Sequence, residues 1–306
     1  MLAAFVPIWV LTGLGWVTGR RRLLGGEAER VLGGFVFHLA MPAALFTALS
    51  RTRLDVHPPA LGAFAASTVA TMALAFLFCL VARRRNGGEA TIGAMAAGYV
   101  NSANLGIPVA LQVLGDATFL TGVLLFQVLV VTPVILVLLD RSAGRAWRPG
   151  RLLTLPLRNP VIAAPALGAA CAALHWHPPD VIGAPLALLG AAAVPTALVA
   201  LGLSLTAGAR AGDAPPRPAG QRAEVASLSV LKLLVQPVIA WSVGRLVGVT
   251  GADLLALVVC AALPTAQNSY VFAREYGRAE AVARETVLVT TAGAMGTLAV
   301  IGVWLG

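Results

Sequence analysis

Apolar runs of roughly 20 residues recur along this chain from its N-terminus to Leu305, and that is the length a helix needs to cross the hydrocarbon core of a bilayer. Ten such spans can be placed, approximately over 2–19, 31–49, 60–82, 91–115, 117–139, 159–175, 180–206, 225–247, 252–274 and 284–305. The sixth is short, and the fourth and ninth are interrupted. A hydrophobic share of 58%, a charged share of 11% and a mean hydropathy of +0.84 lie far from those of a soluble domain. The expected fold is an all-α polytopic membrane protein with ten transmembrane helices.

The interruptions are the informative part. Residues 98–115, GYVNSANLGIPVALQVLG, place Asn101, Ser102, Asn104, Gly106 and Pro108 near the middle of the fourth span. Residues 263–277, LPTAQNSYVFAREYG, do the same for the ninth with Pro264, Gln267, Asn268 and Ser269. An unsatisfied polar group in hydrocarbon costs several kcal/mol, so amide-rich backbone at that depth must face protein or a water-filled cavity. Pro108 and Pro264 lack an N–H and collide with the carbonyls four residues earlier, those of Asn104 and Cys260, and Gly106 eases the first break. Each break exposes the N-terminus of a second half-helix, with free N–H groups and a positive dipole end suited to an anion, while freed carbonyls can hold a cation. Asn101, Asn104, Gln267 and Asn268 are therefore the expected substrate contacts, with Ser102 and Ser269 beside them. The alternative is that these amides only cap broken backbone and join helices.

The connections give orientation. Eighteen arginines fall in the odd-numbered loops, and the even ones hold Arg51, Arg53 and Arg245, so the odd loops are expected in the cytoplasm and both termini outside. Arg20, Arg21 and Arg22 follow the first apolar run rather than precede it, which is the order of a first span and not of a cleaved signal peptide. The net charge of +9 is distributed between spans instead of forming a stripe, so a nucleic-acid partner is not expected.

Two polar connections divide the chain. Residues 141–158 separate a first unit of five spans, 1–140, from a second, 159–306; residues 207–224, rich in Pro, Gly and Arg, read as a flexible cytoplasmic linker or else as a regulatory segment. Pro7, Leu14 and Gly15 recur at an offset of 153 as Pro160, Leu167 and Gly168, and PAAL from Pro42 recurs as PTAL from Pro195. At an offset of 162, GIPVALQVLG lies over NSYVFAREYG with only the Val and the final Gly shared. An odd number of spans per unit turns the second upside down relative to the first, which is an inverted repeat.

All thirteen Asp and Glu residues lie in loops or at span ends, which weighs against ion coupling through buried carboxylates. Lys232 is the one cation inside a span; it either attracts the substrate or snorkels to the interface. His38, four residues before Pro42, is either a proton-linked group or a hydrogen-bonded interior residue. Cys79, Cys171 and Cys260 stand alone in apolar segments, so neither disulfide nor metal site is expected. With a single lysine the chain has no phosphate-binding GxxxxGK[ST] loop, and it has no HExxH or nucleophile elbow; enzymatic activity and transport by its own ATP hydrolysis are not expected.

The combination of GYVNSANLGIPVALQVLG, KLLVQPVIAW and ALPTAQNSYVFAREYG, with MPAALF early and PTALVALGLSL in the seventh span, resembles the auxin efflux carrier family, bacterial branch, over the whole chain. The resemblance implies two inverted five-helix repeats with crossing broken helices, similar to the bile-acid sodium symporter and NhaA-like fold. It further implies a scaffold domain from spans 1, 2, 6 and 7 and a transport domain from spans 3–5 and 8–10. Family members carry organic acid anions, auxin in plants and dicarboxylates such as malate or malonate in bacteria. By motif, Asn101 matches the asparagine that helps bind the auxin carboxylate, and Pro108 matches the crossover proline; Ser269 stands where the plant pattern has a proline. The expected partners are then a small organic anion and the lipid bilayer of the bacterial inner membrane, with room for a homodimer. No cofactor is expected, with sodium or proton coupling open. The rivals are a sodium-coupled importer and a non-transporting metabolite receptor signalling through residues 207–224.

Overall fold

The computed structural model describes residues 2–50, 58–106, 109–110, 113–115, 118–144, 160–174, 176, 178–210 and 220–305. Most of both polar connections and Pro108 fall outside these. The described residues are helical apart from short turns and one isolated bridge. In order they form α1 (Leu2–Arg20), α2 (Ala28–Ser50), α3 (Pro58–Ala82), α4 (Gly87–Gly98), α5 (Thr118–Ser142), α6 (Pro160–Ala173), α7 (Asp180–Ala191), α8 (Ala193–Arg210), α9 (Gln221–Leu246), α10 (Gly251–Ala262), α11 (Asn268–Glu275) and α12 (Glu280–Leu305). Among the described residues six stretches are long and apolar enough to cross a membrane: α2, α3, α5, α9, α12 and the run Asp180–Leu203.

Prolines shape these rods in a regular way. Pro42, Pro133 and Pro237 each follow a five-residue π-helical turn by two residues, in α2 (Val36–Ala40), α5 (Gln127–Val131) and α9 (Leu231–Val235). In each case the carbonyl four residues before the proline, that of His38, Leu129 or Leu233, lies inside the wide turn. The extra residue moves that carbonyl clear of the proline ring, so the helix continues as a bulge instead of breaking. Pro195 acts otherwise: its collision with the Ala191 carbonyl coincides with the end of α7, and Ala192 is a turn before α8.

Small residues set the packing. A Cβ on Gly15 of α1 would strike the Val199 backbone of α8, and one on Gly168 of α6 would strike the Phe46 backbone of α2. Gly190 of α7 meets α2 as closely, its Cβ position lying 2.8 Å from Ala44 Cα. Backbones that touch in this way gain dispersion contacts that larger side chains would prevent. Elsewhere α3, α9, α10 and α12 pack around a core that includes Phe64, Leu257 and Leu298, and α2, α4, α5 and α11 share a second core around Met95, Ile135 and Phe272.

Candidate functional site

α4 starts on a strong cap. Asn86 accepts from the Glu89 amide at 3.0 Å while the Glu89 carboxylate accepts from the Asn86 amide, a reciprocal capping box. The helix stops at Gly98, after which Tyr99 turns extended and Val100 forms an antiparallel bridge with Thr265. The interruption thus begins nine residues before Pro108, earlier than the proline chemistry suggested. On the other side α10 ends at Ala262, and Leu263 and Pro264 lead through Thr265 to α11. The two interrupted segments cross here: the Asn101 amide donates to the Pro264 carbonyl at 2.8 Å, and the Ala266 amide donates to the Tyr99 carbonyl at 3.1 Å. Two strand-like residues from each chain segment therefore satisfy backbone groups that neither helix can.

Side chains satisfy four more. Thr265 Oγ1 donates to the Ala96 carbonyl at 2.6 Å, Gln127 Nε2 to the Val100 carbonyl at 2.9 Å, and Gln236 Nε2 to the Gly98 carbonyl at 3.2 Å. Thr290 Oγ1 accepts from the Thr265 amide at 3.1 Å. Buried polar groups are retained where they are bonded, so this set holds both helix ends open at a depth where water is scarce. Gln127 and Gln236 were not singled out from the sequence. Their one mark in the sequence is that each is a lone amide in an apolar span, Gln236 directly before Pro237 and Gln127 six residues before Pro133, which does not tell what either bonds.

Two expectations are corrected. Pro264 was expected to free the carbonyl of Cys260, but a tightened last turn lets the Leu263 amide reach that group at 3.4 Å; the carbonyl met by an outside donor is that of Ala261. Lys232 does not snorkel. It is 0% exposed, and its Nζ donates to Gln236 Oε1 at 2.7 Å and to the Ala261 carbonyl at 2.8 Å. Its stem lies in the π turn of α9, which points it inward to the crossing.

Beside the crossing is a cavity of about 70 Å³. Asn101 and Ser102 line it from one segment and Gln267 and Asn268 from the other, with Tyr99 at its wall. Its far side is apolar, built by Met41 and Leu45 of α2 and Val194 and Ala197 of α8. The α11 N-terminus opens on it at Gln267 and Asn268, where helix dipole and end N–H groups favour negative charge. The Tyr99 hydroxyl shares a hydrogen bond of 3.0 Å with Thr132 and also meets the side chains of Asn268 and Gln127.

The other expected site residues lie elsewhere. Ser269 is fully buried behind the cavity, and its Oγ has no hydrogen-bond partner. The Asn104 backbone belongs to a π turn, Ser102–Gly106, closed by the Gly106 amide on the Asn101 carbonyl at 2.9 Å; its side chain, like Pro108, is outside the described residues. Gly106 fits close against α5, a Cβ there lying 2.7 Å from Leu120 Cδ1. His38 is half exposed, with Nε2 3.3 Å from Glu275 Oε1 of α11, and does not line the cavity.

The carboxylates sit at helix ends. Glu224, at the start of α9, is 2% exposed and accepts from Arg85 Nη2 at 2.8 Å, with Arg83 Nε 3.8 Å away. That hydrogen bond pushes the Arg85 guanidinium further above its ordinary range and ties α9 to the turn between α3 and α4. Glu29 of α2 accepts from Tyr270 at 2.7 Å and pairs with Arg274, both on α11.

A helical membrane protein whose two interrupted helices cross beside a cavity lined by amides and apolar side chains has the layout of a membrane transporter, and the family match makes it one and not an enzyme. The family model described as "Membrane transport protein" matches residues 1–302, and the chain belongs to that family, which is that of the auxin efflux carriers. A Rhizobium meliloti protein named "Putative malonate transporter" is 29% identical over 304 residues, covering 94% of this chain and 90% of its own. The Escherichia coli K12 protein named "Uncharacterized transporter YfdV" is 26% identical over 297 residues, with 90% of each covered. A transporter from Methanothermobacter thermautotrophicus is 27% identical over 279 residues, covering 88% of this chain and 87% of its own.

Proposed function

We propose that the protein is a secondary transporter that moves small organic acid anions across the bacterial inner membrane by alternating access, holding the anion where the two interrupted segments cross. The observation that carries this reading is the cavity, on which Asn101, Ser102, Gln267 and Asn268 converge beside a helix N-terminus. Amides and hydroxyls supply the donors a carboxylate needs, and the dipole supplies partial positive charge. The cavity, about 70 Å³ in this arrangement, suits a compact ligand such as a short dicarboxylate. The relative named for malonate points the same way.

The architecture attributed to it is ten spans in two inverted repeats, 1–140 and 159–306. Packing supports this: under the offset of 153 the Gly15–Val199 contact becomes the Gly168–Phe46 contact, so each repeat inserts the same glycine into the other. Packing also supports a scaffold of α1, α2, α6, α7 and α8, since α1 lies on α8 and α6 and α7 lie on α2. The remaining helices form the transport domain, and the cavity lies between the two groups. The arginine asymmetry of the loops supports termini on the outside.

The test is uptake of radiolabelled malonate into proteoliposomes holding the purified protein. The expected result is saturable uptake competed by other short dicarboxylates. Saturable uptake of neither malonate nor indole-3-acetate would overturn the reading.

A further inference from the structure

The crossing has a second polar centre, on the side of the helix C-termini. The last carbonyls of α4 and α10 carry the negative ends of two helix dipoles, and paired half-helix C-termini with unwound carbonyls are where secondary transporters hold a coupled cation. Here that place is filled from within the chain. Lys232 Nζ sits between the Ala261 carbonyl of α10 at 2.8 Å and Gln236 Oε1 at 2.7 Å, and Gln236 Nε2 reaches the Gly98 carbonyl of α4 at 3.2 Å and Thr68 Oγ1 of α3 at 3.3 Å. The Lys232–Gln236 pair of α9 thus links α10, α4 and α3. Lys232 and Gln236 are both 0% exposed. Among the described residues no carboxylate is paired with Lys232, so backbone and amide oxygens alone compensate it.

Oxygen ligands from Ala261 and Gln236, with Thr68 Oγ1 and the Gly98 carbonyl one hydrogen bond further out on the Gln236 amide, form the kind of hard, uncharged surrounding that suits an alkali cation. A lysine nitrogen takes the same oxygens with its N–H donors and cannot leave. We propose that the side-chain nitrogen of Lys232 is the resident occupant of a cation site at the crossing, and that its removal opens this site to sodium. The inference deepens the transporter reading, on which it rests, by assigning the cation half of the crossing to the protein itself.

The experiment compares the melting temperature of the full-length purified protein in sodium, potassium and N-methylglucamine chloride at equal ionic strength. Wild type and Lys232→Arg are expected to melt alike in all three salts. Lys232→Ala is expected to melt lower and to regain about 3 °C or more in sodium, as a ligand that binds only the folded state requires. Lys232→Gln, which keeps a hydrogen-bonding group, serves if Lys232→Ala does not fold. A folded lysine-free variant indifferent to sodium overturns the proposal, and so does wild type stabilised by sodium. Malonate uptake is measured in parallel with and without sodium: uptake by wild type that rises in sodium also overturns it. Absence of malonate uptake altogether counts against the substrate, while the melting comparison still decides the role of Lys232.

Discussion

The backbone N–H of Asn101 donates to the Pro264 carbonyl at 2.8 Å, so the residue that faces the cavity from one interrupted helix is fixed by the break of the other. Truncating the side chain leaves this tie intact. Asn101→Ala should therefore remain folded, with stability changed by no more than about 1 kcal/mol, yet lose malonate uptake by about tenfold or more. Uptake and melting temperature measured on the same preparation separate the two effects. Unchanged uptake would remove Asn101 from the site.

Thr265 makes the opposite prediction. Its hydroxyl donates to the Ala96 carbonyl at 2.6 Å and is fully buried, away from the lining of the cavity. Thr265→Val keeps the shape and orphans that carbonyl, which costs about 1–3 kcal/mol. The melting temperature should drop by several degrees, with the Michaelis constant for malonate nearly unchanged. A Michaelis constant raised without loss of stability would place Thr265 in substrate contact.

Gly190 tests the packing of the proposed scaffold. A Cβ there would lie 2.8 Å from both the backbone N and Cα of Ala44, and backbone has little freedom to retreat. Gly190→Ala should force α7 from α2 at a cost of about 1–3 kcal/mol. Gly183, whose Cβ position meets nothing nearer than 3.6 Å, is the control on the same helix, and Gly183→Ala should be neutral or slightly stabilising. Equal melting temperatures for the two variants would refute the close contact.

How far the sequence reaches follows from these cases. Apolar length located the six long helices, and amide-rich runs located both interruptions, because hydrocarbon makes each a local constraint on composition. The meeting of Val100 with Thr265 had a local cue only in their opposite chain directions. What stayed hidden was long-range pairing. Nothing within a few residues of Gln127, Gln236 or Lys232 announces that they complete carbonyls on other helices. Of the two readings of Lys232, snorkelling fails because a carbonyl on another helix compensates the buried nitrogen, which no neighbouring residue announces. The break at Tyr99 likewise coincides with a long-range contact, the bridge between Val100 and Thr265.

The ion pair between Glu29 and Arg274 joins α2 to α11, with Tyr270 Oη donating to the same carboxylate at 2.7 Å. In the proposed division these helices belong to different domains, and both walls of the cavity depend on how they sit. Under the alternating access proposed above, the bond would latch the observed arrangement and would have to break in each cycle. Glu29→Gln keeps an acceptor for Tyr270 but discharges the pair, which should move the balance toward the other arrangement. A cysteine replacing Ala44, beside the cavity, reports on this: with Cys79, Cys171 and Cys260 removed, its alkylation rate should change about three- to tenfold on adding Glu29→Gln. Arg274→Ala should act in the same direction and more strongly, since it leaves the half-buried Glu29 carboxylate without its cation. Identical alkylation in all three backgrounds would mean that the contact is passive and that the transition is governed elsewhere.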